Sequence, residues 1–318
     1  MWRAGRLLAI LLFASMLVFG AVYVAPGSPI SALSGGRTLT PEQVQQLTEQ
    51  YRLNDPLWTR YWDWLSGVLT GDFGHSLVSR ERVSTLITDR VGTTALLVVY
   101  ATVLIVVIGL ALGALAALRG GAVDTTIVMG TGAMAAVPSF VAATVLVAVF
   151  AVKFGWFPVF GDGAGTGLAG RIWHLTLPAT ALALAAMGVV ARVTRTSVIA
   201  QRDLEFVQVA RSRGLPWGRV LRRHVFRNAL IPVTTALGIT VAGLVAGSVV
   251  VEQAFALNGL GTLLIQSVTA HDYAVVQAVT LILVTAFVML NAVADVVNPL
   301  LDPRLQRRNP RPQGRPGR

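Results

Sequence analysis

The 318 residues are 54% hydrophobic and only 13% charged, with a mean hydropathy of +0.66, whereas soluble domains carry about 25% charged residues. This excludes an ordinary soluble core and points to a polytopic membrane protein; the net charge of +11 follows membrane topology and does not argue for nucleic acid. Cysteine is absent, excluding disulfides, iron–sulfur clusters and thiolate zinc sites, and the single lysine, Lys153, lies between Val152 and Phe154, so no Gly-Lys-Ser/Thr phosphate loop exists and the chain is no Walker-type ATPase by itself.

Apolar runs of about 20 residues are long enough to cross a bilayer. The first is Leu7–Ala25, behind Arg3 and Arg6. A cleaved signal peptide is the alternative, but the run is long, no Ala-x-Ala site follows, and Pro26 sits badly just after a cut at Ala25, so residues 1–25 read as a retained anchor. Residues 26–92 form an extracytoplasmic segment. In it, Thr40-Pro41-Glu42 has the form of a helix start. Leu57, Trp58, Tyr61, Trp62, Leu65 and Leu69 recur at helical spacing, as in a helix packed on the bundle or lying in the interface; docking of an outer partner is the other reading.

A core over 93–300 holds five further spans: Thr94–Leu118, Ile127–Val152, Leu177–Ala191, Leu230–Val251 and Val275–Val297. The fourth is short from Pro178 and starts near Trp173 if that proline does not set its beginning. Gly109, Gly113 and Ala117 form a small-residue stripe suited to close helix packing. Pro138 is expected to kink the third span. Residues 301–318 form a basic cytoplasmic tail, which from Arg304 is rich in Arg and Pro and is expected to be disordered.

Orientation comes from the arginines. With the N-terminus inside, 18 of the 26 cations fall on the inner side: Arg3, Arg6, Arg119, nine between Arg192 and Arg227, and six from Arg304 to Arg318. Basic loops stay in the cytoplasm, which gives six spans with both termini cytoplasmic.

The loop 192–229 is far longer than the usual connection of about 4–6 residues. Asp203 is placed to cap a short helix running to Arg213, with Leu204, Val207 and Ala210 or Arg211 on one side. Gly214-Leu215-Pro216 breaks it. A second short helix starts near Trp217, with Val220, Leu221 and Val225 on one face and Arg219, Arg222 and Arg223 on another. Such a pair of helices makes a knob for a groove on a soluble partner, or a basic surface for anionic headgroups; the pattern leaves both open.

Ala210-x-x-x-Gly214, followed by the basic stretch to Asn228-Ala229-Leu230-Ile231-Pro232, resembles the EAA loop of binding-protein-dependent ABC importer permeases, in particular the B-type permease of the dipeptide/oligopeptide/nickel subfamily. Similar patches run in order along the chain: Asp55-Pro56-Leu57-Trp58, Gly71-Asp72-Phe73-Gly74-His75-Ser76, Val137-Pro138-Ser139-Phe140, Phe154-Gly155-Trp156-Phe157-Pro158, Val251-Glu252-x-x-Phe255 with Gly259-Leu260-Gly261, Asp272-Tyr273-x-Val275-Val276-Gln277 and Leu301-Asp302-Pro303-Arg304. Departures are Gln208 at the eponymous Glu position, Val209 for the first Ala, a long interval from Gly214 to Pro232, and Leu257-Asn258 where many relatives place Trp-Pro.

The resemblance implies an all-α, six-span type I ABC importer permease and one half of a pore in the plasma membrane of a bacterium. Its implied partners are a second, homologous permease in a heterodimer, two cytoplasmic ABC ATPases and an extracytoplasmic solute-binding protein, besides membrane lipid. The implied ATPase-coupling residues are Val207, Gln208, Val209, Ala210, Arg211, Gly214, Leu215 and Pro216. Short peptides are the leading solute, with nickel chelates or other small solutes as alternatives. No cofactor is implied, and ATP hydrolysis is expected on the partner subunits.

Glu252 and Asp295 sit near span ends, where a charge costs less than at mid-bilayer. Glu252 and Asp272 are the candidates for an outer vestibule, Glu252 as a partner for a solute's amino group. His75, His174, His224 and His271 lack metal-ligand spacing. A self-sufficient secondary transporter is expected to show inverted repeats or paired broken helices, and deeply placed charges. A membrane enzyme needs a triad, metal cluster or carboxylate pair. Neither pattern stands in this sequence.

Overall fold

The computed structural model describes residues 2–24, 40–42, 45, 48 and 54–301. The tail expected to be disordered from Arg304 lies outside the described residues, as does most of the segment between the first helix and Asn54. Among the described residues the secondary structure is helical, with one isolated bridge between His75 and Arg82.

The helices are α1 (Trp2–Val24), α2 (Leu57–Thr70), α3 (Val83–Arg119), α4 (Gly121–Ala136), α5 (Ser139–Lys153), α6 (Gly167–Arg202), α7 (Glu205–Ser212), α8 (Trp217–Ala254), α9 (Leu260–Thr269) and α10 (Tyr273–Leu301). Pro41 and Glu42 are also helical, directly after Thr40. Among the described residues α3, α6, α8 and α10 are each long and apolar enough to cross a bilayer, and α4 with α5 makes a fifth if the bent pair is one span. The spans are longer than expected on either side of the loop 192–229: α6 runs to Arg202, and the second loop helix is no separate element but the first turns of α8.

Pro138 does more than kink. The two halves of the expected third span meet at 105°. Val137 is extended (φ −84°, ψ 119°), the conformation that a following proline ring imposes, and the next helix restarts with Ala142 N–H donating to the Pro138 carbonyl at 3.0 Å.

Two compact units divide the chain. The first comprises Met1–Val99, Ala143–Ala181 and Val245–Val288. Within it the amphipathic stripe of α2 splits. Tyr61 and Leu65 are buried against Phe19 of α1, and the Tyr61 hydroxyl lies 2.8 Å from Ser15 Oγ, while Trp58, Trp62 and Leu69 stay exposed. Burying one such aromatic side chain contributes about 1.5–3 kcal/mol in water. A second cluster joins Val83 and Ile87 of α3 to Leu260 and Leu263 of α9 and to Val275, Ala278 and Val279 of α10.

The second unit comprises Tyr100–Ala142, Leu182–Leu244 and Met289–Arg318. Here the small-residue stripe of α3 lets α6 approach closely. A Cβ on Gly109 would lie 3.1 Å from Val190 Cγ1, and one on Gly113 2.5 Å from Thr194 Cβ. Ala117 ends the stripe, buried, and its carbonyl accepts a bond from Arg202 Nη1 at 3.0 Å. On α6 itself, Gly188 makes room for the backbone of α4 at Ala135.

Candidate functional site

The loop after α6 is a small folded knob. Leu204, extended at φ −77° and ψ 148°, holds the N-cap position of α7, and no side chain caps that helix. The expected cap, Asp203, instead lies 3.1 Å from the Arg202 guanidinium. An aspartate paired with an adjacent arginine has its carboxylate drawn away from the helix N–H groups, and α7 starts one residue later than expected. After Ser212 the chain reverses: Gly214, at φ +78°, donates to the Arg211 carbonyl at 2.9 Å, and Leu215 N–H reaches the Ala210 carbonyl at 3.3 Å. This left-handed residue closing a helix is the task glycine performs without a Cβ penalty. Pro216 then precedes α8, where its ring suits the helix entry.

Beneath the turn Val207 and Ala210 are buried with Ala117, Val198, Val220, Val225 and Ala229. Leu215 is half-buried against the same cluster, whereas Leu204 is largely exposed and does not join the expected apolar face. Gln208, Val209, Arg211, Gly214 and Pro216 face outward, and the Arg211 guanidinium stacks 5.1 Å from the Trp217 ring centre. The knob therefore has a rigid apolar underside and a polar crest.

The two acids expected at an outer vestibule, Glu252 and Asp272, are both buried. Glu252 is fully buried. Its Oε1 accepts from Thr94 Oγ1 at 2.8 Å, and its Oε2 accepts from the backbone N–H of Gly261 at 2.7 Å and of Thr262 at 3.3 Å. Leu260 N–H donates to Thr94 Oγ1 at 2.8 Å. The carboxylate thus sits at the N-terminus of α9, where unpaired N–H groups and the helix dipole favour a negative charge. The glycines beside it are a fitted recess: a Cβ on Gly259 would lie 2.5 Å from Glu252 Cδ, and one on Gly261 2.5 Å from Val249 Cα. Asp272 is 2% exposed, bonded to the Ser76 hydroxyl and to Leu77 N–H at 3.2 Å. Neither carboxylate lines an open space within this chain, because each is consumed by backbone donors of a neighbouring turn.

The pattern of the family described as binding-protein-dependent transport system inner membrane component matches residues 106–307, and that of the family's N-terminal membrane component matches residues 1–98. The chain belongs to this permease family. It is 36% identical to the oligopeptide transport system permease protein AppB of Bacillus subtilis (strain 168), covering 93% of this chain and 95% of that one. It is 34% identical to OppB of Escherichia coli (strain K12), over 91% and 92% of the two chains, and 33% identical to OppB of Haemophilus influenzae over the same shares. A crystal structure of an amino acid ABC transporter with histidines superposes with a TM-score of 0.54 at 18% identity, covering 68% of this chain and 94% of that chain. This permease is an all-α, multi-pass inner-membrane protein with the type I importer permease fold.

Several polar contacts of the permease escape sequence reasoning. Asp124, in the first turn of α4, pairs with Arg195 of α6 through both carboxylate oxygens. Asp162, nearly buried, accepts from Thr93 Oγ1 at 2.7 Å, and Arg171 Nη2 donates to the same hydroxyl at 3.0 Å. The partners of the first pair stand 71 residues apart and those of Thr93 and Asp162 69, so neither spacing nor composition signals them.

Proposed function

We propose that this permease is one half of the pore of a peptide importer, paired with a second, homologous permease and driven by two cytoplasmic ATPases that each grip one loop. The observation that carries the reading is the knob itself: an exposed crest of Gln208, Val209, Arg211, Gly214 and Pro216 set on a buried apolar underside, linked to α6 by only Asp203 and Leu204 and leading directly into α8. A force on that crest moves α6 and α8 as levers. An ATPase that holds the crest differently in two states biases the pore between two accesses, since only differential affinity shifts such an equilibrium. The relatives named as oligopeptide permeases support short peptides as the solute, delivered from outside by a binding protein. Six spans, the broken pair α4 and α5 counting as one, with both termini in the cytoplasm, follow the arginine asymmetry.

Orientation is testable without a background, because the chain has no cysteine. Ser212→Cys introduces a single thiol at an exposed position of the crest. A membrane-impermeant maleimide labels it in inside-out vesicles and leaves it unlabelled in intact cells; labelling in intact cells overturns the reading. The solute is tested by uptake of labelled tripeptides into proteoliposomes holding the complete complex and its binding protein. Uptake of nickel chelates in place of peptides would replace the solute and keep the importer.

A further inference from the structure

The first turns of α8 carry a feature that the coupling crest does not use. A cleft of about 940 Å³ lies along them, lined by Arg219, Arg222, Arg223, Phe226, Arg227 and Leu230 among others. Two rows build it. Arg219, Arg223 and Arg227 follow at four-residue intervals, and beside them Arg222, Phe226 and Leu230 do the same, so one row is wholly cationic while its neighbour grades from guanidinium to aromatic to aliphatic. The stretch Leu221–Phe226 is π-helical, as are Ile105–Gly109 and Val147–Lys153, a widened geometry that is frequent at functional sites. Asn228 Nδ2 donates to the His224 carbonyl at 2.9 Å, satisfying an acceptor within this stretch.

The charges are unspent. Three of the loop's other five arginines are engaged: Arg195 by Asp124, Arg202 by Asp203 and the Ala117 carbonyl, Arg211 by the Trp217 ring. Among the described residues the guanidinium groups of Arg219, Arg222, Arg223 and Arg227 have neither a carboxylate nor another hydrogen-bond partner, and all four residues are exposed. The only acids in the loop are Asp203 and Glu205. Four guanidinium groups held together in one cleft repel one another unless an anion sits among them.

We propose that this cleft is a binding site for an anionic glycerophospholipid, its phosphate held among Arg219, Arg222, Arg223 and Arg227 and its acyl chains laid along Phe226, Leu230 and the apolar span that follows. Basic pockets at the cytoplasmic ends of spans suit such headgroups, and guanidinium forks match phosphate oxygens. A protein partner's carboxylates would answer the cationic row but leave the apolar row uncovered. The graded row fits a molecule whose charge ends where its hydrocarbon begins. The proposal rests on α8 crossing the membrane and is independent of the solute carried.

The test is lipid retention by the complete transporter, purified in detergent after exchange into phosphatidylglycerol or phosphatidylcholine and weighed by native mass spectrometry. Wild type retains phosphatidylglycerol through delipidation and releases phosphatidylcholine. Arg222→Gln/Arg223→Gln binds phosphatidylglycerol roughly 25-fold more weakly, at about fivefold for each arginine near a membrane surface. Arg222→Lys/Arg223→Lys retains much of the binding. Arg213→Gln, an exposed arginine outside the cleft, leaves it unchanged. Equal retention of the two lipids by wild type overturns the site, even if the Gln variant does not fold. A loss in Arg213→Gln matching that of the double variant also overturns it, as diffuse attraction. Unchanged lipid retention with lost ATPase co-purification in Arg222→Gln/Arg223→Gln assigns the surface to the ATPase instead.

Discussion

The Glu252 carboxylate and the Thr94 hydroxyl lie 2.8 Å apart although 158 residues separate them. That single contact ties the start of an early span to the end of a late one, and Leu260 N–H completes it by donating to the same threonine. Glu252 thereby satisfies the opening N–H groups of α9 inside the protein, where water is not available to do so. Thr94→Val removes a donor and an acceptor at once and leaves a buried N–H and a carboxylate oxygen unpaired. The expected cost is about 1–3 kcal/mol. It is read as a lower thermal unfolding midpoint of the solubilised transporter, with Thr94→Ser close to wild type. Equal midpoints for the Val and Ser variants would deny the contact its role.

Close packing makes a second expectation. Gly113→Leu forces a side chain into α6, where even a Cβ would meet Thr194 at 2.5 Å. Overpacking of a well-filled site typically costs about 1–3 kcal/mol, sometimes more. The variant is expected to reach the membrane at reduced yield and to run as a broadened peak in size-exclusion chromatography. Gly130→Leu is the control, since no atom lies within 4 Å of a Cβ there.

How much of this was legible in the sequence depends on the range of the forces involved. The Gly109, Gly113 and Ala117 stripe was readable because helical periodicity is local, and its partner had only to be some other helix. The turn at Gly214 was readable for the same reason. Pro138 was readable as a break but not as a bend of 105°, because the proline fixes only its own φ and the conformation of Val137, and packing decides the remainder. Asp203 misled: its local propensity as a cap lost to an ion pair with its neighbour Arg202. Glu252 and Asp272 misled more. Their position at span ends suggested open water, while the donors that enclose them come from α9 and from Ser76 and Leu77, which no pattern around either acid announces. The Gly259-Leu260-Gly261 motif held that information in another form, as the recess needed for a buried carboxylate.

The Asp124–Arg195 pair invites a charge-exchange experiment. Each side chain is about a quarter exposed, so the pair is partly screened by solvent and by salt. Asp124→Arg alone places two cations together and is expected to lower the thermal midpoint. Arg195→Asp alone does so in the opposite sense of charge. The double exchange is expected to recover part of the loss, more at low ionic strength than at high. Additive losses in the double variant would show that the two side chains do not communicate.

Gly214 separates backbone strain from crowding. No atom lies within 4 Å of where its Cβ would be, yet its φ is +78°. Any penalty for substitution is therefore conformational, about 1–2 kcal/mol for an ordinary residue and less for Asn, which visits the left-handed region readily. Gly214→Ile is expected to redirect the crest formed by Gln208, Val209 and Arg211 while the buried residues Val207 and Ala210 hold the rest of the knob. If an ATPase grips that crest, the variant transporter carries less ATPase through purification, or hydrolyses ATP with little uptake, and Gly214→Asn stays near wild type in both measurements. Because the strain is local, the thermal midpoint of the spans moves little. Normal ATPase retention and normal coupling in Gly214→Ile, with the same protein folded and inserted, remove the crest as the place where the force of ATP hydrolysis enters the pore.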